Sequence, residues 1–151
     1  MSWRARLTEL GIELPETAAP LAAYVPAVRT GDLVYTSGQL PMHNGKLART
    51  GKVGAEVSPE DGYALARICA LNALAAVDAL VGLDSVTRVV KVVGFVASGP
   101  TFNGQPGVIN GASELLGEIF GDAGAHARSA VGVSQLPLDA PVEVELILEV
   151  G

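Results

Sequence analysis

Two ionisable side chains sit in segments whose pattern gives them a direction. Arg128 lies in the apolar run 127–133, and Glu143 lies in Val142-Glu143-Val144-Glu145-Leu146-Ile147-Leu148-Glu149-Val150. Successive strand side chains point to opposite sheet faces. Val142, Val144, Leu146, Leu148 and Val150 therefore share one face, and Glu143, Glu145, Ile147 and Glu149 share the other. That second face is either solvated or set against another copy of the chain. A carboxylate buried there needs a partner, and Arg128, on the preceding strand, is the expected neighbour. A guanidinium grips a carboxylate through two parallel hydrogen bonds, and a glutamate moves protons to and from water.

The remaining reactive groups are less suggestive. Cys69 stands alone in an apolar helical pattern and reads as a buried hydrophobe. His43 and His126 have no partner at metal-ligand spacing, so no metal site is expected. Ser37 lacks a histidine at motif spacing and is not read as a triad nucleophile. The Gly45-Lys46 and Gly51-Lys52 pairs lack phosphate-loop spacing, and the glycines of Gly104-Gln105-Pro106-Gly107 do not make a dinucleotide fingerprint.

The elements that must hold Arg128 and Glu143 fit one domain of 151 residues, 49% hydrophobic and only 17% charged. So low a charge fraction suggests that some surface is buried in an oligomer. The net charge of −6 and scattered lysines and arginines argue against nucleic acid as the main partner. Residues 1–10 lack the apolar core of a signal peptide, and charge or glycine interrupts every long apolar run. A cytoplasmic protein without a membrane partner is expected.

Residues 1–20 read as an extension: a short helix over 1–10 stopped at Gly11, then a proline-containing linker over 12–20. The main domain, 21–151, begins with strands over 22–29 and 33–40 joined at Thr30-Gly31-Asp32. Pro26 makes the first an edge strand or a bulged one. Residues 41–57 are loop-like, with room for a short strand. Ser58 and Pro59 open a helix that runs to Val81. A strand over 86–96, a loop over 98–107, a helix over 108–120 and strands over 127–133 and 142–150 complete an α+β pattern, with two helices on one face of a sheet.

Several pieces, in order, resemble the YjgF/RidA family, also known as L-PSP endoribonucleases or reactive intermediate deaminases. They are Tyr24-Val25, Thr36-Ser37-Gly38-Gln39-Leu40-Pro41, Val108-Ile109-Asn110, Ala127-Arg128-Ser129, and Leu136-Pro137 followed by Val142-Glu143-Val144-Glu145. The chain resembles a divergent, longer branch. The resemblance implies a chorismate-mutase-like fold with a mixed sheet, assembled as a homotrimer with pockets between subunits. It implies hydrolysis of small 2-imino acids to 2-keto acids and ammonia without a cofactor. Arg128 would hold the substrate carboxylate and Glu143 would handle the water. Tyr24, Ser37, Gly38, Asn110 and Ala130 would contact substrate. Deaminating members carry a cysteine where this chain has Ala130, which keeps a non-catalytic carboxylate- or partner-binding module open as the alternative. Ribonuclease activity follows from one family label and is the less favoured reading.

Overall fold

The computed structural model describes residues 2–17 and 23–151. Helix α1 (Trp3–Leu10) is capped by Ser2, whose hydroxyl accepts from Ala5 N–H, and ends at Gly11 in the left-handed region at φ 70°. Its Leu7 is buried, and Trp3 meets Phe120 edge to face at 5.0 Å. Thr17 Oγ1 donates to the Ala75 carbonyl at 3.0 Å, tying the extension to the domain. The rest of the expected linker, 18–20, and Ala22 of the expected first strand lie outside the described residues.

Strands β1 (Ala27–Thr30) and β2 (Leu33–Thr36) form a hairpin around Gly31-Asp32, with Gly31 at φ 56°. β1 starts after Pro26, whose ring cannot donate to a ladder, so the strand is shorter than the sequence pattern suggests. Within the expected loop 41–57 lies a second hairpin, β3 (Met42–His43) and β4 (Lys46–Leu47). Its Asn44-Gly45 turn has φ 52° and 79°, the positive values a two-residue hairpin turn requires.

Helix α2 (Pro59–Val81) begins as its sequence dictates: Ser58 Oγ accepts from Asp61 N–H, Pro59 occupies the first turn, and Glu60 and Asp61 face the positive end of the helix dipole. By length and composition it is apolar enough to cross a membrane, but its Leu65, Cys69, Leu74 and Val77 are buried in the core. Strand β5 (Val86–Ala97) follows, then helix α3 (Gln105–Phe120). α3 starts three residues earlier than its apolar period indicates, because Pro106 fits a first turn that needs no N–H. The two helices touch at Gly111, where a Cβ would strike the Tyr63 carbonyl.

Strands β6 (Ala127–Val133) and β7 (Val142–Val150) complete one five-stranded sheet of order β1-β2-β7-β5-β6. Only the β5–β6 pair is parallel, joined by the α3 crossover. The alternation in β7 is as expected: Val142, Val144, Leu146, Leu148 and Val150 are buried, while Glu143, Glu145, Ile147 and Glu149 are half-buried on the other face. α2 and α3 cover the first face, and α1 adds a third helix packed on α3. Among the described residues nothing covers the opposite face, where Val28, Tyr35 and Val131 are exposed.

Candidate active site

Glu143 stands on the open sheet face, opposite Phe95 of β5. Its position depends on an irregularity beside it. β2 pairs with β7 through Tyr35 and Ile147, and pairing resumes at Gln39 and Val144. Three residues, Thr36 to Gly38, therefore oppose two, a β-bulge. Thr36 Oγ1 accepts from Leu146 N–H at 2.9 Å, replacing a ladder bond. Gly38 then passes under the carboxylate: a Cβ built on Gly38 would lie 2.6 Å from Glu143 Oε1. Asn72 of α2 holds the segment beyond, its side-chain N–H₂ donating to the Leu40 and Met42 carbonyls at 3.1 Å each.

Burial raises the Glu143 pKa above the ordinary carboxylate value, and the neighbouring Glu145 charge pushes it further. Both causes act in the direction that suits a proton acceptor near neutrality. The expected counterweight from Arg128 is missing within one chain. β5 lies between β6 and β7, so Arg128 is not the strand neighbour of Glu143.

Arg128 lies on the other side of the sheet. In the parallel register it pairs with Val92, a buried helix-face position, whereas Glu143 pairs with Phe95 on the open face. Two strand spacings and three residues separate the backbones, roughly 10 Å in each direction. The half-buried Arg128 donates through Nη1 to Asn110 Oδ1 at 2.7 Å and to Ser113 Oγ at 3.3 Å. Arg4, Arg6, Arg29, Arg49 and Arg67 each meet a carboxylate. Among the described residues Arg128 meets none, although it is less exposed than Arg88, the other arginine without an ion pair.

The other sequence-derived residues divide between these two groups. Asn110 is in the second turn of α3, beyond any capping position, and serves Arg128 directly. Ala130 pairs with Gly94 on the helix face, two residues along β6 from Arg128, so a cysteine there would point to the same side. Ser37 belongs with Glu143, but its hydroxyl donates to the Val25 carbonyl at 2.6 Å and its N–H to the Pro26 carbonyl at 2.8 Å. Tyr24 precedes β1 instead of lying in it, and is exposed. The sequence-derived residues thus fall into two separate groups: Arg128, Asn110 and Ala130 at the β6 edge, and Glu143, Gly38 and Ser37 at the β-bulge, with Tyr24 preceding β1.

Ser113 and His126 join the group around Arg128; Ser113 is not singled out in the sequence, and His126 stands there only as lacking a metal-ligand partner. Ser113 is three residues after Asn110, on the same helix face, so the spacing contained the signal. Cys69 is buried on α2, its thiol pKa held well up by burial and then by the Glu143 charge, which fits an inert core residue. Among the described residues no three His, Cys, Asp or Glu side chains converge as a metal site.

A mixed five-stranded sheet with its helices on one face, and polar groups gathered at a sheet edge and a bulge, defines a chorismate-mutase-like α+β domain. The chain belongs to the YjgF/RidA family. Residues 4–150 match the family described as "YjgF/chorismate_mutase-like, putative endoribonuclease". The chain is 47% identical to protein TCP17 of Trypanosoma cruzi over 149 residues, covering 97% of this chain and 93% of that one. It is 33% identical to a 2-iminobutanoate/2-iminopropanoate deaminase of Dermatophagoides farinae over 138 residues, covering 91% and 93% of the two chains. The crystal structure of Atu1372 from Agrobacterium tumefaciens, of unknown function, superimposes with a TM-score of 0.91 at 46% identity, covering 99% and 92%. Escherichia coli TdcF with bound serine gives 0.67 at 25% identity, covering 90% and 94%.

Proposed function

We propose that this protein hydrolyses small 2-imino acids to 2-keto acids and ammonia, at pockets where Arg128 of one subunit meets Glu143 of the next in a cytoplasmic homotrimer. The observation that carries the reading is the state of Arg128: a half-buried guanidinium held by neutral oxygens and left without a carboxylate partner. A ligand carboxylate supplies the missing charge. The open sheet face, with its exposed Val28, Tyr35 and Val131, supports burial against another copy. The deaminase named among the relatives supports the reaction, and serine bound to TdcF supports a ligand of amino-acid size.

In this reading the substrate carboxylate docks on Arg128, which places its C=N bond before Glu143 of the neighbouring subunit. Glu143 accepts a proton from water as the oxygen bonds to the imine carbon, and passes that proton to the nitrogen. Glu143, ionised again, then takes the hydroxyl proton of the resulting carbinolamine and delivers it to the nitrogen as the C–N bond breaks. Ammonia leaves, the oxygen forms the new C=O bond, and a 2-keto acid remains with Glu143 as it began. Water is the only co-reactant, so no cofactor is required. General acid–base help of this kind is worth ~10²–10⁴-fold.

Ala130, at the position of a cysteine in deaminating members, favours a second reading: a pocket that binds small carboxylates without turnover. Ribonuclease action is the weaker reading for a chain of net charge −6. The test is keto-acid release from 2-iminobutanoate generated in solution. Faster release than in buffer supports hydrolysis. Thermal stabilisation by 2-oxobutanoate without faster release supports the binding module.

A further inference from the structure

Arg128 is oriented by more than Asn110. Ser113 Oγ lies 3.3 Å from Arg128 Nη1 and 2.9 Å from His126 Nε2, and His126 Nδ1 lies 2.6 Å from the Gly124 carbonyl oxygen. With a neutral His126 ring, the chemistry of each group fixes the direction of every bond in this chain. A carbonyl oxygen only accepts, so Nδ1 carries the ring proton. In the neutral ring Nε2 then only accepts, so the Ser113 hydroxyl donates to it. With its hydrogen committed, Ser113 oxygen presents lone pairs to Arg128, which only donates.

The far end of this relay is anchored as well. Gly124 is buried, and a Cβ there would run into the Leu116 carbonyl of α3. The turn that bonds His126 is thus seated on the helix that carries Ser113 and Asn110. Nη1 has two hydrogens, and Asn110 and Ser113 take both. Nε and Nη2 remain. They form one edge of the guanidinium, and among the described residues they meet no acceptor.

We propose that Ser113 and His126 are positioning residues that hold the guanidinium so that its Nε–Nη2 edge receives a small carboxylic acid. The inference rests on the reading of Arg128 as the carboxylate anchor. That edge offers two parallel N–H groups, matching both oxygens of a carboxylate in one plane. Without the Ser113 lone pair, one Nη1 hydrogen loses its acceptor and the plane is free to turn.

The test is calorimetric titration of the full-length protein with 2-oxobutanoate. Ser113→Ala and His126→Phe each weaken binding about tenfold, while Ser113→Thr and His126→Gln, which keep the hydroxyl or an acceptor, stay within about threefold of native. The double variant S113A/H126F is no weaker than S113A alone, because both cut one relay. Native affinity in S113A and H126F, with Arg128→Ala failing to bind, overturns the inference and leaves the anchor standing. Native affinity in Arg128→Ala overturns the anchor itself, as does a native protein that does not bind. Nitrogen NMR of the native protein decides independently of whether the variants fold. A ring proton on Nδ1 of His126 is expected, and a proton on Nε2 overturns the relay.

Discussion

The Glu143 carboxylate occupies the space that a side chain at Gly38 would need, with Oε1 2.6 Å from the position of the missing Cβ. The contact is with the free end of a flexible side chain, which can swing away. Gly38→Ala should therefore fold with little loss of stability, under about 1 kcal/mol, because the methyl displaces Glu143 instead of straining the backbone. If Glu143 handles the water, kcat/KM for imine hydrolysis falls about 10²-fold. Thermal unfolding and the imine assay read the two effects separately.

Gly111→Ala should behave in the opposite way. Its methyl meets the Tyr63 backbone carbonyl, which cannot rotate aside. The helix pair must separate, at a cost of about 3 kcal/mol. Denaturant unfolding checks this, and an unchanged midpoint contradicts the tight α2–α3 contact.

Glu145 sets a pH response. Its charge, after burial, raises the Glu143 pKa. A base must be ionised to act, so the rate falls as pH drops through that pKa. Glu145→Gln removes a repelling charge, lowers the Glu143 pKa and moves the acid limb of kcat/KM to lower pH. A limb that stays in place, or moves up, assigns the titration to another group.

Trp3→Ala tests whether the amino-terminal helix only supports the domain. It removes the indole N–H bond to the Val86 carbonyl, 2.7 Å, and the edge-to-face contact with Phe120. A loss of about 3 kcal/mol is expected, with activity per folded molecule unchanged. Lost activity at full folding would place the extension in the pocket.

The sequence disclosed most of the fold because local rules agreed with the tertiary result. Ser58 and Pro59 set the start of α2, and strict alternation set both faces of β7. Pro26 and Pro106 shifted element ends, since a missing N–H ends a ladder in one case and opens a helix in the other. Strand order was not legible. Alternation says which residues share a strand face but not which strands are neighbours, so nothing revealed that β5 would part Arg128 from Glu143. The β-bulge beside Gly38 and the contact of Ser113 with His126 were hidden for a similar reason, since both depend on contacts between different elements, whereas the i,i+3 spacing of Asn110 and Ser113 was there to be read.

The central claim is that a complete site takes Arg128 from one chain and Glu143 from another. It is tested by mixing two inactive variants. Arg128→Ala and Glu143→Gln are each assayed alone, then dissociated together, reassembled and assayed on 2-iminobutanoate, with light scattering checking for a species near 46 kDa from three 15.4 kDa chains. Random assortment pairs an intact Arg128 with an intact Glu143 at about a quarter of the interfaces, so up to about a quarter of native activity should return. A mixture as inactive as its two components would contradict the account.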